Sequence, residues 1–319
     1  MTTVSVSGLD TAAIHAARDA AGPGGTVFFP NGDYDVDGLT ASVANQTWQF
    51  ERLATLKRPA AATGNSVLTL AAPGLRTIGG VLDGNRANNA SPANGILAPN
   101  DGCDLEMTGT TIQNVSAVGI AMDNAALILD RVTIKATTLG NMIWRSTSGP
   151  GRHGPQIDRC LFDRSMEPAS LIGAGVLIQS TNHAAQFVLT PRITKSRFAM
   201  PVTSAADAVL LELLYCQRAT IEDNVFTGGR IGVTYGSSGS GWIAGNKCQI
   251  QTSYAIELGC NDTTVVENYG SGYAASSSLH GITVNPACSG FLKVYGNTMV
   301  GYTVPVFDPS SRITSGWAN

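Results

Sequence analysis

The sequence predicts an all-β chain wound as a parallel solenoid of about nine to ten coils, and three features predict it. A six-residue phrase recurs at near-constant spacing, short alternating stretches follow it, and the composition is rich in glycine and poor in charge. The phrase is clearest at residues 221–226 (IEDNVF), 243–248 (IAGNKC), 265–270 (VVENYG) and 294–299 (VYGNTM), so its starts lie 22, 22 and 29 residues apart. Weaker copies begin at Ile193, Ile157, Leu129, Met107 and Thr77, which makes nine rungs. A fixed repeat of this size signals stacked units, each too small to bury its apolar face alone. Stretches such as 119–124 (GIAMDN), 209–213 (VLLEL), 255–259 (AIELG) and 281–285 (GITVN) alternate with period two, the signature of strands. An antiparallel sandwich would show Asn-Gly or Asp-Gly turns about every 8 to 12 residues, and these are nearly absent.

Each element follows in order. Asp10 is placed to cap an Ala-rich helix over about 11–21, which GPGG at 22–25 ends. This helix reads as the cover for the open end of the solenoid, whose strand edges would otherwise be exposed. Residues 26–36 (TVFFPNGDYDV) read as a strand, a Pro-Asn-Gly turn and a second strand, so 1–36 is assigned to an N-terminal cap region. The coils are then expected over 75–308. The fourth position of the phrase reads Gly80, Thr110, Val132, Cys160, Ser196, Asn224, Asn246, Asn268 and Asn297. Four successive Asn at one point predict an internal ladder, each side chain bonding to the next and to the backbone of its turn. Residues 309–319 form a tail too short to classify, and 1–319 is read as a single domain.

Only 13% of residues are charged, against roughly 25% in an ordinary soluble domain. The formal net charge is −3, so no basic field exists to hold nucleic acid or an anionic membrane surface. No apolar run reaches the roughly 18 residues that span a bilayer, and the first residues lack the pattern of a signal peptide. The chain is therefore expected to be soluble, secreted or virion-associated being compatible with that. The six cysteines include no C-x-x-C pair, against a zinc ribbon. Buried free thiols fit best, while the even count keeps disulfides open. The acidic cluster Asp101, Asp104 and Glu106 has no Gly-framed repeat and reads as structural, and neither metal nor cofactor is expected.

The opening phrase at 10–36, the later GGVLDGNRANN at 79–89 and the Asn-marked coils resemble the pectate-lyase-like right-handed β-helix superfamily. The resemblance covers nearly the whole chain. It is similar in particular to the branch that contains phage tailspike depolymerases, alginate epimerases and carbohydrate-cleaving enzymes. It implies a right-handed parallel β-helix with an N-terminal capping helix, a polysaccharide or oligosaccharide partner, and side-by-side homotrimers as one mode of assembly. It also implies that saccharide binds along the groove of one parallel sheet, the one that holds the GIAMDN-type strands.

Facing the apolar alternates of those strands inward leaves two outward columns. One reads Asp123, Arg145, Gln179, Glu212, a gap near Thr234, Gly259 and Asn285; the other reads Ala121, Ile143, Leu177, Leu210, Gly232, Glu257 and Thr283. In a chain so poor in charge, the stripe of Asp123, Arg145 and Glu212 is informative, although a cross-strand ion pair beside a solvated carboxylate explains it equally. By this alignment Asp123 and Arg145 lie one rung apart, and Arg145 and Glu212 two. Insertions concentrate between Leu129 and Ile221, and loops that depart from a regular solenoid gather on its binding face. They carry Arg152 and His153 after Arg145, and His183 after Gln179, while Tyr215 follows the Glu212 strand.

Candidate catalytic residues are thus Asp123, Glu212, Arg145, His153, Glu257 and Tyr215. Candidate substrate-binding residues are Gln179, Arg152, His183, Trp144 and Asn285. His153 reads equally as a surface residue, whereas His183 reads rather as structural and Tyr215 rather as a groove-edge packing or hydrogen-bonding residue. Hydrolysis needs two carboxyl groups, and Glu212 with Glu257 is one such pair. β-Elimination needs a cation against a uronate and a base, for which Arg145 with His153 or Tyr215 would serve. The Asn-Thr-Asp and Gly-His-Gly signature of polygalacturonases is missing, as is the Asp-Pro-His-Glu motif of alginate epimerases. Three carboxylates and no Lys on the expected groove favour a glycoside hydrolase. A lyase is the alternative, and a non-catalytic adhesin or tailspike the contrasting class.

Overall fold

The computed structural model describes residues 2–89, 91–147, 153–167, 173–181, 187–203, 208–273, 279–286, 288 and 290–315. The chain forms two compact units, Met1–Trp144 and Arg145–Asn319. In each, a coil of three short strands repeats, and like strands stack in parallel register from coil to coil, with about 11 turns in all. This is the parallel β-helix that the repeat predicts. Successive coils stand about 4.8 Å apart, the spacing that backbone hydrogen bonds impose.

In the first unit, the helix Thr11–Ala21 is capped by Asp10, whose Oδ1 accepts the Ala13 N–H at 2.8 Å, and it ends at Gly22 with φ 67°. Ile14, Ala17 and Ala21 form its buried stripe, spaced three and four residues apart as one helix face requires. Gln46 Nε2 closes the other end, donating to Arg18 O at 2.7 Å and Gly22 O at 3.0 Å.

The coils begin earlier than residue 75. Thr26–Phe29 pairs with Thr47–Phe50, which pairs with Leu75–Ile78. Gly32–Asp35 likewise pairs with Ala54–Lys57, which pairs with Val81–Asp83. Two turns of the solenoid therefore precede the first recognisable phrase, and 26–36 is part of them. The phrase is unreadable there for a physical reason. The turn between Thr47–Phe50 and Ala54–Lys57 has three residues where later turns have two. The core at this end is filled by aromatic rings, with Phe29 stacked on Phe50 at 4.2 Å and tilted against Trp48 at 5.5 Å.

In the second unit the Asn ladder forms as its spacing predicts. Asn297 Oδ1 accepts from the Asn268 side chain, Asn268 Oδ1 from Asn246, and Asn246 Oδ1 from Asn224, at 2.9, 2.9 and 3.0 Å. Each Oδ1 also accepts the backbone N–H of the residue before it in the ladder, and Ser196 and Cys160 extend this backbone series. Every ladder residue from Ser196 onward follows one in the left-handed region: Lys195, Asp223, Gly245, Glu267 and Gly296 have φ between 51° and 64°. That conformation turns the chain sharply between two sheets and leaves buried amides for the ladder to satisfy. Beneath it Phe162, Phe198 and Phe226 stack at 5.0 and 4.8 Å. All six cysteines are free and buried, and burial pushes the Cys248 and Cys260 thiols up to about 12.

Candidate functional site

The groove sheet of the second unit contains Val176–Ser180, Val209–Leu214, Ile231–Gly236, Tyr254–Gly259 and His280–Val284. Leu211, Val233, Ile256 and Ile282 are fully buried, so their alternates face outward as the pattern requires. Register then settles the columns. Leu177 pairs with Glu212, Glu212 with Thr234, Thr234 with Glu257, and Glu257 with Thr283. Gln179 pairs with Leu214, Leu214 with Gly236, and Gly236 with Gly259.

Glu212 therefore shares its column with Glu257, and not with Arg145, Gln179 and Asn285 as the sequence alignment placed it. Val176 lies beside Leu211 and not Val209. A slip of two residues preserves which side chains face out and changes only the column, so alternation alone cannot detect it. The bond from Thr181 N to Ser146 O, 2.9 Å, carried back along the strands, sets Arg145 beside Gln179 in the other column.

Three depressions follow one another along this face. The first, about 390 Å³, is lined by Leu177, Val209, Glu212, Arg230, Thr234 and Glu257 among others. The next, about 230 Å³, shares Thr234 and Glu257 with it and adds Leu214, Gly236, Gly259 and Asn285. A third, about 510 Å³, shares Ser237 and Gly259 with the second and reaches Arg218 and Asp262. Glu212 and Glu257 are both half-buried, and the Thr234 hydroxyl donates to Glu257 Oε2 at 3.2 Å. Arg230, which precedes its strand and so escapes a reading based on alternation, lies over the Tyr254 ring at 5.8 Å. Tyr254, His280 and Phe307 continue as a row of rings, 5.7 and 4.7 Å between centroids.

Of the expected residues, Glu212, Glu257 and Asn285 line these depressions. Gln179 is outward and half-buried on the same sheet. Tyr215, in the left-handed region at φ 56°, begins the turn that leaves it. His153 is an exposed residue that pairs with Leu189 beyond the sheet, and its Nδ1 lies 3.0 Å from Thr190 Oγ1. Asp123 ends the strand Val118–Asp123 of the first unit, whereas the depressions belong to the second. Trp144 cannot bind substrate: it is wholly buried, and its Nε1 donates to Ala125 O at 2.8 Å. An indole on the inward alternate packs into the core, and its one polar atom is used there. Arg152 and His183 lie outside the described residues. Asp104 accepts from Ala126 N at 2.8 Å, and Glu106 pairs with Arg76 at 3.3 Å. No cluster able to hold a metal exists among the described residues, and no described helix is long and apolar enough to cross a membrane.

No family model and no curated protein matches the chain. Solved structures do. The A-module of mannuronan C-5 epimerase AlgE4 from Azotobacter vinelandii matches with a TM-score of 0.65 at 15% identity, covering 96% of each chain. The surface adhesin PfbA of Streptococcus pneumoniae matches with 0.65 at 13% identity, over 96% of this chain and 99% of its own. DFA-IIIase from Arthrobacter chlorophenolicus A6 matches with 0.63 at 12% identity, over 98% and 93%. At such identities the likeness speaks for architecture. Together with the coil register, it gives the chain the right-handed parallel β-helix fold.

Proposed function

We propose that the groove of the second unit binds a glycan and hydrolyses a glycosidic bond, with Glu212 and Glu257 as the paired carboxyl groups. The observation that carries this is their common column. One residue, Thr234, stands between them, so their backbones are two strand spacings, about 9.6 Å, apart. Inverting hydrolysis places its carboxyl groups roughly 6.5 to 9.5 Å apart to admit a water, whereas retention needs about 5 to 5.5 Å. The spacing favours inversion.

Glu257, already an acceptor for the Thr234 hydroxyl, takes the role of base and draws a proton from the attacking water. Glu212 is the acid that protonates the departing glycosidic oxygen. The C–O bond to the leaving sugar breaks as the bond to water forms, and solvent returns both carboxyl groups to their starting states. Arg230, beside them in the same depression, orients sugar hydroxyls. Structural likeness to carbohydrate-acting enzymes supports the general theme.

The test is incubation with a panel of neutral and acidic polysaccharides. New reducing ends without ultraviolet absorbance from unsaturated uronate are expected, with Glu212→Gln and Glu257→Gln each lowering the rate at least about 1,000-fold and melting like the parent. Absorbance in that band would replace hydrolysis by elimination, for which Arg230 supplies the cation. Binding without cleavage would leave an adhesin, the class to which one similar structure belongs. Full activity in either variant removes that residue from the mechanism.

A further inference from the structure

The third depression lies mostly beyond the ends of the groove strands, and Gly259 alone of its lining belongs to a column that alternation predicts. Its wall is almost entirely polar: Gln217, Arg218, Ser237, Ser238, Ser240, Asn261 and Asp262, with Phe187 the apolar exception. Hydrogen-bonding groups converging beside one aromatic residue suit a sugar ring, which presents hydroxyls at its rim and C–H bonds on its face.

The floor leading to it is bare for a reason that packing does not supply. A Cβ built on Gly259 would meet its nearest neighbours at 3.4, 3.5 and 3.8 Å, ordinary contact distances, and the backbone there is not left-handed. A larger residue would therefore fit the fold, and its side chain would point outward into the passage that joins the second and third depressions. Gly236, its partner on the next strand, lines the same passage. The cleft is also held rigidly from beneath. Tyr235 is wholly buried, and its hydroxyl lies within 3.2 Å of Cys216 O and 3.0 Å of both Gly239 O and Ser240 O. The Ser238 hydroxyl donates to Gly236 O at 2.7 Å and accepts the Cys216 N–H at 3.0 Å. Preformed polar walls cost little ordering on binding.

Charge narrows the ligand. Arg218 and Asp262 are the charged groups that line this cleft, one of each sign, and the first depression adds Glu212 and Glu257 against Arg230. A polyuronate would meet more carboxylates than guanidinium groups. We propose that the cleft of Gln217–Arg218, 237–240 and 261–262 is a further saccharide subsite, reached across Gly236 and Gly259, and that it takes an uncharged sugar residue. This rests on the reading of the groove as a glycan site.

Affinity electrophoresis of the full chain through gels containing dextran, xylan or galactomannan, and in parallel alginate or polygalacturonate, tests it. The parent is expected to be retarded by at least one neutral polymer and to run freely in both acidic ones. Gly259→Trp should weaken the retardation at least about 10-fold with an unchanged melting temperature. Arg218→Gln, on an exposed side chain and safe for folding, should weaken it about three- to tenfold. Retardation by the acidic polymers alone overturns the uncharged class. Retardation undiminished in both Gly259→Trp and Arg218→Gln overturns the subsite while leaving the groove reading standing. A parent that no polymer retards or serves as substrate overturns the groove reading and the subsite with it.

Discussion

A buried Asn in the middle of the ladder has every polar atom engaged. Asn246 Nδ2 donates to Ile221 O at 2.8 Å and to Asn268 Oδ1 at 2.9 Å, while its Oδ1 accepts from both the backbone and the side chain of Asn224. Asn246→Ala strands partners on both neighbouring coils, each worth about 1 to 3 kcal/mol when left unsatisfied. Chemical denaturation should show a loss of roughly 2 to 4 kcal/mol, and a smaller loss for Asn297→Ala, whose side chain is partly exposed. A loss below about 1 kcal/mol at Asn246 would mean that water enters the ladder. These residues were legible because an amide repeated at one turn position serves little purpose unless it bonds to its own copies. Glu212 was legible as an outward carboxylate, but its column was not. That depends on a two-residue offset to which a period-two pattern is blind. Trp144 was readable as inward from the same alternation, and a substrate-binding role runs against that parity. Arg230 and Arg218 precede or follow strands, where periodicity carries no signal.

Among the elements, the one α-helix of the described residues shows how a short segment is made stable by its context. Eleven residues are marginal as an isolated helix, so the cap, the buried stripe and the bonds from Gln46 must hold it. Asp10→Ala removes the side-chain acceptor for the Ala13 N–H and should cost about 1 kcal/mol, read as a lower denaturation midpoint with an unchanged slope. Asp10→Asn should recover most of it. If both variants match the parent, the helix is held by its buried face alone. Helix and cap were both apparent in the sequence, since an Asp before an Ala-rich run and a Gly-Pro-Gly-Gly end are local signals. The two earliest coils were not. Their identity lies in pairing with strands 20 to 30 residues away, and in the second of them an extra turn residue at 51–53 breaks the phrase.

For the whole molecule, repetition of one phrase was enough to read the architecture, because every coil must solve the same burial problem in the same way. The chemistry does not repeat, and so it was far less legible. The binding face proposed above lies where the coils differ from one another: at the glycines that open a floor, at an arginine outside the strands, and at two glutamates that share a column. The scarcity of charge noted in the composition acquires a meaning there. Inward positions leave few sites for ionised groups, so those that face the groove stand out against a sparsely charged background.

The 22-residue interval between Asn224, Asn246 and Asn268 makes the coil a removable unit. Excising residues 225–246 would join Asn224 to Lys247 with the ladder and all three sheets still in phase. It would also take away the strand that carries Thr234 and bring Glu212 directly beside Glu257, at about 4.8 Å between backbones. That is close to the separation at which a second carboxylate attacks the sugar itself. A shortened protein that folds and cleaves glycan is therefore expected to release product with the anomeric configuration retained, where inversion is the outcome proposed for the parent. Proton magnetic resonance of the first products distinguishes the two, and inversion in the shortened chain would show that the distance between these carboxylates does not dictate the outcome. Retention there would make the stereochemistry of the reaction a property of coil number, written into the period of the sequence.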